Sequence, residues 1–175
     1  MSFAVWLTGL SGAGKSAVAK ALLERLKTRG VAASVLESDL LRTQVTPFAT
    51  YEDDEREEFY AVLADLAALL VKRGRPVVID ATGNRRAYRE RARQAIGRFA
   101  EVYVSTPREV CAVRDTKGLY KSKVVQTLPG VQVPYEPPLA PELVIPGDRG
   151  TPREGAKAIV ELLVRRGWIA AQASV

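Results

Sequence analysis

The sequence predicts an α/β fold built on a parallel sheet with helices on both faces. Two observations predict it. Short apolar runs alternate with amphipathic helical stretches along the chain, as in repeated strand–helix–strand units. The first of these runs also ends in a glycine-rich segment, Gly9-Leu10-Ser11-Gly12-Ala13-Gly14-Lys15-Ser16, that leads straight into a helical pattern.

The elements follow in order. Phe3 to Leu7 reads as a buried strand ending at Thr8-Gly9. Ser16 to Lys27 is helical, with Ala19, Leu22, Leu23 and Leu26 on one face, and Arg29-Gly30 closes it. Val31 to Leu36 is a second strand. Glu52 to Lys72 is the longest helix, with Phe59, Val62, Leu63, Leu66, Leu69 and Leu70 at helical spacing and an acidic first turn. Pro76 to Asp80 is a strand ending in a carboxylate, Arg86 to Arg98 a basic helix, and Glu101 to Val104 a further strand. Thr106-Pro107 opens a helix running to about Arg114. Residues 116–141 lack either periodicity and carry five prolines, so they are expected to form a long loop acting as a lid. Leu143 to Ile145 is the last strand. Thr151-Pro152 starts a final helix with Ala156, Ile159, Val160 and Leu163 inward, and the tail beyond Trp168 is expected to be loose.

Composition narrows the function. The 175 residues fit one domain, residues 1–175, which at this length buries enough surface to fold without staples. Hydrophobic residues make up 47% and charged residues 26%, an ordinary globular balance. No apolar run reaches the ~20 residues of a membrane span, and no secretory signal pattern is visible. With no histidine and one cysteine, Cys111, the chain has no imidazole base, no His-ligated zinc and no internal disulfide. Acid–base work falls to Asp, Glu, Lys or Tyr, and a cytoplasmic location is expected. The net charge of +6 fits a basic surface, an anionic small molecule or nucleic acid without choosing among them.

The glycine-rich segment matches G-x-x-x-x-G-K-[ST], for which a chance match in a chain this size is on the order of half a percent. Its residue types follow from phosphate chemistry. Glycines let successive backbone N–H groups turn toward phosphate oxygens, and the following helix aims its positive end there. Residues Gly9 to Ala17 are therefore the expected nucleotide-binding loop, with Lys15 on the outer phosphates and the Ser16 hydroxyl on Mg²⁺. The architecture becomes the three-layer P-loop NTPase/kinase fold, with ATP and Mg²⁺ as cofactors. The size favours a small-molecule kinase, since the switch or coupling elements of a GTPase or motor are not found.

Asp39 follows the second strand by three residues, where a carboxylate would face the loop across a cleft. It is expected to orient an acceptor hydroxyl and take its proton, or to hold magnesium. Arg42 shares its helical face and would grip an anion on the acceptor. For both, the competing reading is an N-cap Asp beside an exposed Arg. Asp80 at the end of the third strand is a candidate magnesium ligand or a helix cap. Of the arginines at 85, 86, 89, 91 and 93, one or two would face the anionic site and most would form a solvated face. Arg114 to Lys123 is a cationic loop able to cover a nucleotide and exclude water.

These residues resemble the adenylylsulfate kinases (APS kinases), which transfer the ATP γ-phosphoryl group to the 3′-hydroxyl of adenosine 5′-phosphosulfate. The likeness covers nearly the whole chain. It rests on the stretch from Trp6 to Ser16, on Glu101 to Pro107 with Glu109-Val110-Cys111, on Arg114-Asp115 through Lys121, and on Pro134-Tyr135-Glu136-Pro137-Pro138 followed by Pro141 to Ile145. The resemblance implies that Arg114 and the lid cover the nucleotide and that Lys117 lies near the transfer site. It also implies that Asp39, Arg42, Phe48, Arg56 and Leu119 meet a small, anionic acceptor, and it points to a homodimer.

The chain departs from the family on the acceptor side. Glu37-Ser38-Asp39-Leu40 stands for Asp-Gly-Asp-Asn. Phe59, Ala61 and Val62 replace an Asn and two arginines, Asp80 to Arg85 replaces Phe-Ile-Ser-Pro-Tyr-Arg, and Leu128 replaces an aromatic. A polar site missing its partners rejects its old substrate steeply. A related kinase acting on another alcohol (a nucleoside, sugar or natural-product intermediate) is therefore an alternative. A non-catalytic nucleotide-binding module or a nucleic-acid-binding ATPase is a rival of another class. The scattered basic residues, not interleaved with stacking aromatics, argue against nucleic acid.

Overall fold

The computed structural model describes residues 2–46, 48, 50–115, 117–121 and 128–171. Strands β1 (Ala4–Thr8), β2 (Ser34–Glu37), β3 (Val77–Asp80), β4 (Phe99–Ser105) and β5 (Leu143–Pro146) form a sheet ordered β2-β3-β1-β4-β5. All four pairings are parallel, as the alternating pattern requires. The helices are α1 (Lys15–Thr28), α2 (Ser38–Val45), α3 (Asp53–Lys72), α4 (Arg86–Ala95), α5 (Arg108–Arg114) and α6 (Pro152–Arg165).

Alternation along β1 splits the core in two. Phe3, Val5 and Leu7 pack with Leu22 and Leu26 of α1 and with Ile159 and Leu163 of α6. Ala4 and Trp6 face the other way, onto Phe59 and Leu63 of α3 and Tyr88 and Ala92 of α4. Both faces of β1 are fully buried, which is why it reads as a continuous apolar run. The Trp6 indole N–H donates to the Ala81 carbonyl at 2.9 Å, so the burial leaves no unpaired donor there.

Several expected boundaries move. Strand β2 starts at Ser34, not Val31, because its partner β3 begins at Val77 and Ser34 N–H already bonds the Pro76 carbonyl. Helix α4 stops at Ala95, where Ile96 turns extended and buries its side chain in the α3/α4 core. On α3, Val62 and Leu69 are half exposed, so the apolar stripe is narrower than the spacing predicts. Helix α2 was not singled out because its one buried side chain is Arg42, which leaves no apolar stripe to read. α6 opens with a capping box between Thr151 and Glu154. The start of the tail is tied: Trp168 stacks on Phe3 at 6.1 Å and Arg29 donates to the Ala170 carbonyl, while residues 172–175 of the expected loose tail lie outside the described residues.

The long loop has two parts. Residue 116 and residues 122–127 of the expected lid lie outside the described residues. Residues 128–133 form a turn with Leu128 buried and Gly130 against the Leu10 side chain. The Pro134–Pro138 stretch is strapped across the strand ends, through Asn84 to the Pro134 carbonyl and Tyr135 Oη to Thr8 Oγ1 at 3.0 Å. That half is part of the body, not a free flap.

Candidate active site

The carboxyl ends of β1, β2 and β3 bring the expected groups together. In register, Leu7 and Glu37 flank Asp80, so the loop after β1 and the start of α2 lie on either side of the β3 end. The phosphate loop is held from below by backbone. A Cβ on Gly9 would stand 2.5 Å from the Val104 carbonyl oxygen, and one on Gly12 2.8 Å from that of Cys111. Gly12 also has φ +79, which other residues adopt only at a cost. Thr106 Oγ1 donates to the Ala13 carbonyl and fixes the loop to β4.

Helix α1 begins after Gly14 with no side-chain cap and no acidic residue in its first turn. Its positive end therefore faces the cleft without an internal counter-charge. Ser16 and Ala17 are exposed there. The buried Lys15 ammonium folds back on the carbonyls of Gly9 and Leu10, at 3.0 and 2.9 Å. Burial pushes its pKa below the usual lysine range, against the pull of the Asp80 and Asp39 carboxylates and with the push of Lys117. Lys15, Asp80, Asp39 and Lys117 thus share one electrostatic site.

Neither carboxylate is a helix cap. α2 is capped by Glu37 and α4 by Arg85, each without a side-chain cap bond. Asp80 is 6% exposed beside Lys15, whereas Asp39 stands open to solvent and pairs with Lys117 of the lid. Ser16 and Asp80 supply hard oxygen donors, which suit Mg²⁺. Among the described residues no cluster of three or more acidic or cysteine side chains could cage a metal, so phosphate oxygens would complete its shell.

The end of α5 and the turn after it are anchored near the loop. Arg114 donates to the Gly147 carbonyl at 2.8 Å and comes within 3.9 Å of the Cβ position of Gly14. Asp115 accepts the N–H groups of Leu119 (2.7 Å) and Tyr120 (3.1 Å), and Tyr120 Oη reaches the Ser11 carbonyl at 2.8 Å. Leu119 is half-buried in this turn.

Across the cleft, Arg42 is 7% exposed and its guanidinium lies between two rings, 4.0 Å from Phe59 and 4.8 Å from Tyr51. Its Nη1 meets Glu55 at 2.7 Å. Arg56 is buried too, donating to the Tyr51 carbonyl at 3.1 Å. Phe48, expected at this pocket, is 93% exposed, and Tyr51 is the aromatic against Arg42. Glu55 pins the N–H groups of Thr50 and Tyr51, which explains the exchange. Ala61 is half-buried.

Sequence reasoning missed three features. Glu55 and Tyr51 are the first two. The third is the network of Arg89 and Arg93, which turn inward while Arg86 and Arg91 stay on the expected solvated face. Arg89, 1% exposed, meets Glu101 and the carbonyls of Gly83 and Glu136, while Arg93 grips Glu142 in a bidentate pair. An Arg repeat at i and i+4 opposite strand-borne Glu101 was the available signal. An open cleft of about 460 Å³ lies on the uncovered face of β4 and β5, lined by Tyr103, Thr106, Pro107 and Arg149 among others, and includes none of the loop residues. Among the described residues no helix is long and apolar enough to cross a membrane.

Comparison with known proteins places this geometry. The family model described as adenylylsulphate kinase matches residues 1–146. The adenylyl-sulfate kinase of Rippkaea orientalis is 37% identical over 95% of this chain and 93% of its own. The Mycobacterium tuberculosis APS kinase CysC, solved in complex with AMPPNP and APS, superposes with a TM-score of 0.85 at 33% identity, covering 93% of this chain and 97% of that one. The hexameric APS kinase from Thiobacillus denitrificans aligns with a TM-score of 0.74 at 25% identity over 97% of this chain and 30% of its own. The family match over residues 1–146 and the likeness to these relatives along nearly the whole length agree, and the chain belongs to the adenylylsulfate kinase family.

Proposed function

We propose that residues 1–175 act as one kinase domain transferring the γ-phosphoryl group of ATP to the 3′-hydroxyl of adenosine 5′-phosphosulfate, giving 3′-phosphoadenosine 5′-phosphosulfate and ADP. The observation that carries this reading is the meeting of Lys117 with Asp39 opposite Lys15. One point in the cleft thereby holds a base for the acceptor and a cation for the moving phosphoryl group.

The roles follow from the chemistry. The loop from Gly9 to Ala17 and Lys15 hold the outer phosphates. Ser16 and Asp80 would hold Mg²⁺, which when bound neutralises phosphate charge. Asp39 orients the hydroxyl and takes its proton as the oxygen attacks phosphorus and ADP leaves. Arg42 and Arg56 position the anionic acceptor, with Leu119 closing over it and Tyr51 in the place expected of Phe48. Arg114 and Lys117 screen the charge on the transferring group from the lid side. Catalysis is mostly positioning and electrostatics. We place this activity in the cytoplasm, with a homodimer as the acting unit. Light scattering on the purified protein separates a dimer from a larger assembly.

A coupled ADP-release assay with ATP, Mg²⁺ and adenosine 5′-phosphosulfate tests the reading. Saturable turnover is expected, falling about 10²–10⁴-fold in Asp39→Asn. A protein that binds ATP but turns over no faster with the acceptor than with ATP alone would overturn it.

A further inference from the structure

Glu55 sits in the first turn of α3, and both of its carboxylate oxygens are engaged. Oε1 accepts Arg42 Nη1 at 2.7 Å. Oε2 accepts the Thr50 hydroxyl at 2.8 Å, the Tyr51 N–H at 3.0 Å and the Thr50 N–H. A glutamate at this helix position ordinarily reaches back to the capping residue's N–H. Here it reaches past Glu52 to the two residues before it and spends its other oxygen on a neighbouring helix.

Those contacts determine the shape of the pocket wall. Tyr51 has φ +58, a left-handed conformation rarely held by a bulky side chain unless its surroundings enforce it. Glu55 holds the N–H groups of Thr50 and Tyr51 on one side of the Tyr51 N–Cα bond, and Arg56 holds the Tyr51 carbonyl on the other. The Tyr51 and Phe59 rings then both lie against the Arg42 guanidinium, their centres 4.8 and 4.0 Å from it. With two rings against it and Nη1 held by Glu55, the guanidinium has little freedom to turn. A guanidinium recognises an anion through that fixed planar fork. The pair is nearly dry, at 8% and 19% side-chain exposure, so Glu55 is an oriented clamp and not a loose surface partner. The hydrogen bonds of Thr50, with Tyr51 and Arg42, outweigh burial and hold the Glu55 carboxyl below the usual glutamate range, so it remains charged at neutral pH.

We propose that Glu55 is a positioning residue for the acceptor: it fixes both the Arg42 fork and the Tyr51 turn, and so determines how tightly the anionic acceptor binds without touching it. This rests on the kinase reading above. Removing the Glu55 charge would by itself favour an anion. The loss of a fixed fork is expected to outweigh that gain.

Two measurements test it. In steady-state kinetics, Glu55→Gln cannot satisfy both Arg42 and the two N–H groups. It is expected to raise the KM for adenosine 5′-phosphosulfate about tenfold, with kcat and the KM for ATP within about twofold. Glu55→Asp keeps the charge but loses reach, and should shift the same KM in the same direction if the Gln variant does not fold. Independently of activity, phenylglyoxal modification of the free protein followed by peptide mass spectrometry should label Arg42 several-fold faster in Glu55→Gln, with Arg89 unchanged. An acceptor KM that is unchanged or lower, equal shifts in both KM values, or an unchanged Arg42 labelling rate would each overturn the proposal. A wild-type protein inert toward the acceptor but showing the labelling difference would sink the kinase reading and leave the Glu55 clamp standing.

Discussion

The two sides of the cleft are made of different material. At the phosphate-loop end the critical contacts are backbone: Gly9 beneath the Val104 carbonyl, Gly12 beneath that of Cys111, and Lys15 folded onto loop carbonyls. At the α2–α3 end they are side chains from distant positions: Arg42 between Tyr51 and Phe59, held by Glu55, with Arg56 and Asn84 behind. Backbone contacts tolerate almost no change of residue type. Side-chain contacts can be re-formed with other partners. That difference fits the sequence reading, in which the loop follows the family pattern and the departures, at Leu40, Phe59, Ala61 and Val62, fall on the acceptor side.

The largest expected effect lies in the frame that holds the side-chain half in place. Arg89 joins Gly83 after β3, Glu101 on β4 and Glu136 of the strap, all from a nearly waterless position. Arg89→Met would leave Glu101 with a partly buried charge and two carbonyls without a donor. A loss of about 3–5 kcal/mol is expected, read as the shift in denaturant midpoint. A loss below about 1 kcal/mol would mean that Arg93 takes over Glu101, and that the frame is redundant.

Next comes the backbone half. Gly12→Ala sets a methyl group 2.8 Å from the Cys111 carbonyl in a left-handed conformation. Strain of about 1–3 kcal/mol should weaken ATP binding by tenfold or more while acceptor binding holds. Calorimetric titration of each substrate separates the two. Equal weakening of both would erase the distinction between the ends of the cleft.

The same distinction governs what could be read from the residues alone. The loop was legible because its chemistry demands glycines, a lysine and a hydroxyl at fixed spacing within one turn of chain. The sheet was legible because both faces of β1 and β3 are apolar. Asp39 and Asp80 could be placed at strand ends, since a parallel sheet puts its ligands there. The pairing of Arg42 with Glu55 could not, because twelve residues, with a turn that carries a left-handed tyrosine, intervene. Arg89 looked like one cation among many on a basic helix. Only the register of β4 and the path of the strap turn it inward.

The smallest effect refines the account of that frame. Burial disfavours the charge on Glu142, but the bidentate hydrogen bonds from Arg93 and the Glu101 N–H outweigh it and hold its carboxyl below its ordinary value of 4.5. The folded protein therefore binds this proton more weakly than the unfolded chain, and stability rises with pH across the interval between the two values. The contribution is complete above the unfolded value and is lost as pH falls through the folded one. Denaturation of the wild type and Glu142→Gln, followed from about pH 7 to about pH 3, should show the two stabilities converging on the acid side. Parallel curves would mean that Arg93 keeps its grip whether Glu142 is charged or not. The frame around β4 would then depend on fewer charges than its geometry implies.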